Sequence, residues 1–380
     1  MPLPSRTIRR GLGFVLAGLV ATTPPAHALM NFDGTRNQLY VFGGVTFGYN
    51  TNIYAQADGP SDSSIAVQAG AELKRKAGLI GVDFTAKVDF VRYKEYSDEN
   101  SINPNFALVF TKSTGRTTGT LSISAYRETR ADSAVNLRTS TLNYPVALNV
   151  RYPVDDKFYL TSGTEYVRRN YEDNAALVDY TDFSEALDFY YTYSSKLDLL
   201  AGYRLRLSET SVYGRATDHW FSVGATGGLL AKLSGTVRVG YQLRQVEAGS
   251  PDHFDNFNFQ AALSWPVLAK LGITLTALRD FGTVANGEMV DTMSLSLRAT
   301  YNYSRRLQFY SGVSVGRNDF LGDTQNDRRD TYFSWDAGFT YKMNEHFQFG
   351  GSYIYFRNWS SLPIGDYENQ GISLNVSGRY

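Results

Sequence analysis

Asp83-Phe84-Thr85-Ala86-Lys87-Val88-Asp89-Phe90 places Phe84, Ala86, Val88 and Phe90 on one parity and Asp83, Thr85, Lys87 and Asp89 on the other. Successive side chains of a strand point to opposite faces, so this stretch predicts a strand between an apolar and an aqueous surrounding. A helix would mix the two sets. The same period recurs along the chain in 18 runs of roughly ten to fourteen residues. Eight of the connections between runs are short, among them Arg75-Lys76-Ala77-Gly78, Ser113-Thr114-Gly115-Arg116 and Ser304-Arg305-Arg306. The connections alternating with them are mostly longer and rich in Asp, Asn, Gly and Ser.

Tight turns on one side and long loops on the other, with an even strand number, are the layout of an outer-membrane barrel. A run of about 11 residues, tilted near 40°, rises roughly 28 Å, enough for an apolar band of about 25 Å. The fold class expected is therefore all-β, a transmembrane antiparallel up-and-down β-barrel of about 18 strands, with 16 as the nearest alternative. Soluble propellers are disfavoured because no blade-length repeat occurs. Charged residues in mid-strand, opposite the apolar parity, would not fit a dry sandwich core. Ten define the wet face: Glu72, Asp83, Lys87, Asp89, Arg204, Arg206, Arg238, Arg244, Arg298 and Asp336. They are the expected pore-lining residues.

Composition agrees with membrane-boundary chemistry. The chain has 14% aromatic residues and 27 Tyr, and Tyr favours places where one end of the ring is dry and the other wet. Cys is absent, which removes disulfides, thiolate metal ligands and a thiol nucleophile. Arg6, Arg9 and Arg10, the apolar run Gly11 to Ala21, and Ala26-His27-Ala28 form a secretory signal peptide pattern. Residues 1–28 are thus expected as signal peptide and residues 29–380 as barrel. Without those three Arg, 34 basic residues face 37 acidic ones, a formal charge of −3, so no nucleic-acid partner is indicated. The partners expected instead are outer-membrane lipids with lipopolysaccharide and the outer-membrane assembly machinery.

The wet-face charges segregate along the chain. Glu72, Asp83, Asp89 and Asp336 fall on the second, third and sixteenth runs, and Arg204, Arg206, Arg238, Arg244 and Arg298 on the ninth, eleventh and fourteenth. On a circle of 18 these arcs face one another, which gives either a transverse field across the bore or, with Lys87, Asp188 and Asp198 interrupting, local pairing. Tyr40, Tyr126, Tyr190, Tyr310 and Trp220 share the inward parity and could stack on sugar rings or fill gaps. Asp218-His219 with Ser211 nearby is raw material for a hydrolytic triad, without the Gly-x-Ser-x-Gly elbow. Asn318 to Asp327 carries hard oxygen ligands at spacings unlike an EF-hand. No catalytic residue, metal or cofactor is assigned.

The chain ends Ile372-Ser373-Leu374-Asn375-Val376-Ser377-Gly378-Arg379-Tyr380. A closed barrel must pair this run with the first, leaving Ile372, Leu374, Val376 and Tyr380 toward lipid. An amphipathic last strand ending in an aromatic also resembles the signal read by the assembly machinery, so these four are the expected assembly signal. Gly43-Gly44-Val45-Thr46-Phe47-Gly48-Tyr49-Asn50-Thr51-Asn52-Ile53-Tyr54, followed by Val88-Asp89-Phe90-Val91-Arg92-Tyr93, resembles the putative β-barrel porin 2 family. That resemblance implies an association with exopolysaccharide export. The expected function is an outer-membrane pore for hydrophilic solutes; a general porin and a lipid-modifying barrel enzyme are the alternatives.

Overall fold

The structure, a computed structural model, describes residues 30–32, 37–172, 177–211, 214–247, 253–321 and 328–380. The expected signal peptide lies outside the described residues. A short strand, β1 (Met30–Phe32), precedes eighteen longer ones: β2 (Asn37–Asn50), β3 (Asp62–Ala77), β4 (Ile80–Tyr93), β5 (Ser101–Lys112), β6 (Thr118–Asp132), β7 (Leu137–Pro153), β8 (Phe158–Glu172), β9 (Tyr180–Thr192), β10 (Leu197–Thr210), β11 (Gly214–Gly228), β12 (Ser234–Val246), β13 (His253–Leu268), β14 (Leu271–Thr283), β15 (Met289–Asn302), β16 (Leu307–Leu321), β17 (Arg329–Lys342), β18 (Phe347–Ser360) and β19 (Tyr367–Arg379). Each pairs antiparallel with its chain neighbours, and β19 pairs with β2 from Gly371 opposite Asn50 to Arg379 opposite Phe42. The sheet is therefore a closed barrel of eighteen strands, as the alternation requires. Where β19 runs out, β1 takes over the same edge of β2, Met30 opposite Leu39 and Phe32 opposite Asn37.

Closure is what lets this sequence live in lipid, because each of the eighteen long strands then has two neighbours and none is an edge strand. The outer face is a belt of exposed apolar side chains such as Phe47, Phe84, Phe106, Leu187, Phe221, Val223 and Phe257. Ile372, Leu374, Val376 and Tyr380 all belong to it. Carboxylates also stand on this outer parity, among them Glu185 of β9, which accepts from Ser162 Oγ at 2.7 Å and Thr164 Oγ1 at 2.5 Å on β8. Those two hydroxyls satisfy an acid that hydrocarbon alone could not solvate.

At the long-loop end, two ladders stop short of their loops. The β5–β6 ladder stops at Asn105 opposite Tyr126, next to Pro104, and Arg127–Asp132 of β6 continue with β7 alone. The β13–β14 ladder stops at Phe259 opposite Arg279, and Asp280–Thr283 continue with β15 alone. Both hairpin tips turn inward. The β6–β7 turn is held from far around the barrel by Arg328, whose guanidinium donates to the carbonyls of Ala134 (2.5 Å) and Ser133 (3.0 Å) and pairs with Asp330 (2.7 Å). Asn136, in the left-handed region at φ 54°, donates to the Ala55 carbonyl at 2.8 Å. Ala55 packs with Phe356 and Tyr367 into a small apolar cluster. Nearby Tyr54 donates to Glu99 at 2.9 Å; burial and that hydrogen bond push its phenol up to about 12, so it stays a donor at neutral pH.

Candidate permeation pathway

Inside the barrel lies a cavity of about 1000 Å³. It is lined from one side by the β6–β7 tip and from the other by Asp280–Ala285 of the β14–β15 tip. Of the ten sequence-predicted lining residues, Arg204, Arg206, Arg298 and Asp336 border it. Glu72, Asp83, Lys87 and Asp89 keep the inward parity on β3 and β4, opposite the exposed Ile65, Val67, Phe84 and Phe90. Arg244 is a correction. Expected in the bore, it is fully buried, because the β14–β15 tip covers it and Phe281 lies under its guanidinium at 5.4 Å.

Local pairing prevails over segregated arcs. Arg204 of β10 holds Asp280 through two bonds of 2.8 and 3.1 Å, and Arg206 reaches the same carboxylate at 3.3 Å. Asp218 on β11 is shared by Arg206 (2.5 Å) and Arg244 of β12 (2.6 and 3.0 Å). Arg206 also donates to the Phe281 carbonyl at 2.6 Å, and Arg244 to that of Gly282 at 2.9 Å. Arg238 grips Asp188 by two bonds of 2.7 Å and donates to Tyr190 Oη at 2.9 Å. Arg298 and Asp336, expected in opposing arcs, pair directly at 2.9 Å. Glu72 pairs with Arg379 and, at 3.1 Å, with Lys74; Lys87 pairs with Asp89 at 3.3 Å. The physical reason is reach: a guanidinium on one strand meets a carboxylate one to four strands away, and such paired charges keep little field to project across the bore.

Small residues make these reaches possible. The Asp188–Arg238 pair spans from β9 to β12 over Gly202, where a Cβ would lie 2.0 Å from Asp188 Oδ1. At Gly312, between Arg298 and Asp336, a Cβ would meet Asp336 Oδ1 at 2.6 Å. Gly202→Ala is therefore expected to force Asp188 off Arg238 and cost about 1–3 kcal/mol of unfolding free energy in detergent. Gly272→Ala, with nothing within 4 Å of its Cβ, is the matched control. Equal midpoints for the two would contradict the spanning role.

The inward rings are largely occupied. Arg204 lies over Trp220 at 4.7 Å, Arg298 over Tyr310 at 5.1 Å and Arg379 over Tyr40 at 4.2 Å, while Tyr190 stacks on Tyr159 at 4.4 Å. Cation–π contacts of this kind cover the ring faces a sugar would use. His219 stands on the outer parity, its Nδ1 2.8 Å from Tyr203 Oη, whereas Asp218 points inward to its arginines. Strand alternation thus separates the pair that a triad would need together. Of the hard-ligand stretch, Asp319 is held by Arg317 and Arg329 at 2.8 Å each, and residues 322–327 lie outside the described residues. Sequence reasoning missed Asp280, held by Arg204 and Arg206, and the buried amides of Gln242, Asn256 and Asn258, the last donating to Gln242 Oε1 at 2.5 Å. Their even parity on β12 to β14 was the available signal.

No curated protein matches the chain. Solved structures do: the Pseudomonas aeruginosa channel OccK2 (OpdF) in complex with glucuronate is 10% identical, with a TM-score of 0.52 over 90% of this chain and 97% of that one. Acinetobacter baumannii OccAB2 is 10% identical, with a TM-score of 0.50 over 90% and 98%. At such identity the likeness is one of fold. The profile of the family described as "Putative beta-barrel porin 2" matches residues 216–380. The residues that carry the resemblance lie mostly in the first strands, whereas the match lies in the later ones, and only the last strand is common to both. Over residues 216–380 the chain thus matches the putative beta-barrel porin 2 family, and by fold it is a porin-like barrel of the bacterial outer membrane.

Proposed function

We propose that this barrel passes hydrophilic solutes passively across the outer membrane, in the service of exopolysaccharide export. The observation that carries the reading is the cavity within the closed wall, lined by Arg204, Arg206, Asp280, Arg298 and Asp336. Water and hydroxyl-rich solutes can replace one another against such a surface, and apolar solutes cannot. Near-complete pairing of those charges suits a cargo of many hydroxyls better than a simple ion. The exopolysaccharide link rests on the family resemblance. In the same reading lipopolysaccharide covers the outer leaflet part of the apolar belt, and the assembly machinery inserts the barrel.

Single-channel recording in planar bilayers tests the reading. Current interrupted by added oligosaccharide supports it, and a steady current indifferent to oligosaccharide would mark a general small-solute pore. Replacing Arg204, Arg206 and Arg238 together by Gln leaves Asp188, Asp218 and Asp280 with fewer cations. The reversal potential should then move toward cation selectivity. An unmoved potential would show that these side chains do not face the conducting path.

A further inference from the structure

The β14–β15 tip has a second place to go. Continuing the β13–β14 register past Phe259 opposite Arg279 would set Asp280 opposite Asn258, Phe281 opposite Phe257, Gly282 opposite Asn256 and Thr283 opposite Asp255. Both edges are available for it, since His253–Asn258 pair only with β12 and Asp280–Thr283 only with β15. The side chains agree with that zipped arrangement. Phe281 has the lipid-facing parity of Ile273, Leu275 and Ala277, and would join the exposed Phe257 as a cross-strand aromatic pair. In the structure Phe281 is instead 2% exposed, folded against the inner wall under Arg244.

The tip is held inward by Asp280 on Arg204 and Arg206, joined by the Phe281 and Gly282 carbonyls, which accept from Arg206 and Arg244. What lies beneath it is polar. Gln242 and Asn256 are 0% and 7% exposed, and Gln242 Nε2 and both amide atoms of Asn256 have no hydrogen-bond partner. Buried amides left unsatisfied are costly. They are the donors and acceptors a hydroxylated ligand would use. In direct ion pairs, three arginines (Arg204, Arg206, Arg244) face Asp218 and Asp280 with the tip folded in, a balance of +1; with the tip zipped they face Asp218 alone, a balance of +2.

We propose that the wall beneath the β14–β15 tip is a binding site for a carboxylated sugar, which Asp280 fills when the tip is folded in and which zips the tip onto β13 when the ligand takes its place. The ligand's carboxylate replaces that of Asp280 on Arg204 and Arg206, and its hydroxyls meet Gln242 and Asn256. A ligand shifts such an equilibrium only through its preference for one state, and here that state is the one with Asp280 withdrawn. The site rests on the pore reading for its route of access.

Cross-linking separates the two. The chain has no Cys, and Phe257→Cys with Phe281→Cys would stand opposite each other in the zipped state, within the roughly 4.4–6.8 Å Cα spacing a disulfide needs. In the folded-in state one lies on the lipid face and the other inside. Oxidation in detergent, with folding followed by heat-dependent mobility in gels, should be severalfold faster with glucuronate than without, and unchanged by glucose. Adding Asp280→Asn should give the fast rate without ligand, and adding Arg204→Met should remove the glucuronate effect. A rate indifferent to glucuronate, equally raised by glucose, or zero throughout overturns the proposal. If the rates behave as expected and the cross-linked barrel still carries no current, the site stands and the pore reading falls.

Discussion

An Arg244→Leu protein is expected to lose about 3–5 kcal/mol of stability, because removing one partner of a buried ion pair strands the other. Arg244 and Asp218 are both fully buried. Asp218 would keep only Arg206, and the Gly282 carbonyl would lose its donor at 2.9 Å. Denaturant unfolding in detergent, read by loss of heat-modifiable mobility, measures this. An Asp218→Leu, Arg244→Leu double variant should recover part of the loss, since two apolar side chains of similar bulk need no solvation. A single variant within about 1 kcal/mol of the parent would place the pair among ordinary surface bridges and remove the support it gives the tip.

The strands were legible because the wall has only two surroundings, and alternation reports both. Asp83 to Phe90 lies inside β4 as read, and the terminal run closes on β2. Boundaries were less legible than faces: β6 runs from Thr118 to Asp132 and its partner β7 from Leu137 to Pro153, both longer than the roughly ten to fourteen residues expected. The ladder continues through the polar residues of the hairpin, so the connection between the two strands is only four residues, Ser133 to Asn136. Parity tells which face a side chain takes but not whether the hairpin carrying it stays in the wall. Phe281 reads as lipid-facing and is buried inside for that reason. Charge positions were legible in the same limited sense. Arg204 and Asp280 are 76 residues apart, and their meeting depends on strand order around the circle and on the tip's inward fold, neither of which a local pattern encodes. The Asp218-His219 pair shows the converse: adjacency in sequence guarantees opposite faces in a strand.

Deleting Tyr380 is expected to cut the yield of folded barrel in the outer membrane by about tenfold, a figure that follows from losing two backbone hydrogen bonds of about 0.5–1.5 kcal/mol each. Its N–H donates to the Val41 carbonyl at 2.9 Å and its carbonyl accepts from the Val41 N–H at 2.8 Å, the last pair of the seam between β19 and β2. The ring stacks parallel on His346 at 4.2 Å and meets Phe347 edge-on at 6.0 Å. One residue earlier, Arg379 crosses beneath β2 to Glu72 and covers Tyr40 at 4.2 Å. Seam strength and the proposed recognition by the assembly machinery are separable by substitution. Tyr380→Phe keeps the backbone bonds and the aromatic end, so it should assemble at the parent level. Tyr380→Ala keeps the backbone bonds alone, and a yield near that of the deletion would assign the effect to the ring. His346→Ala removes the stack but leaves the terminal ring, and its yield should stay high if the ring acts as a signal to the machinery. Full assembly of Tyr380→Ala would mean that Ile372, Leu374 and Val376 suffice, and that the last aromatic serves only the girdle at the periplasmic edge.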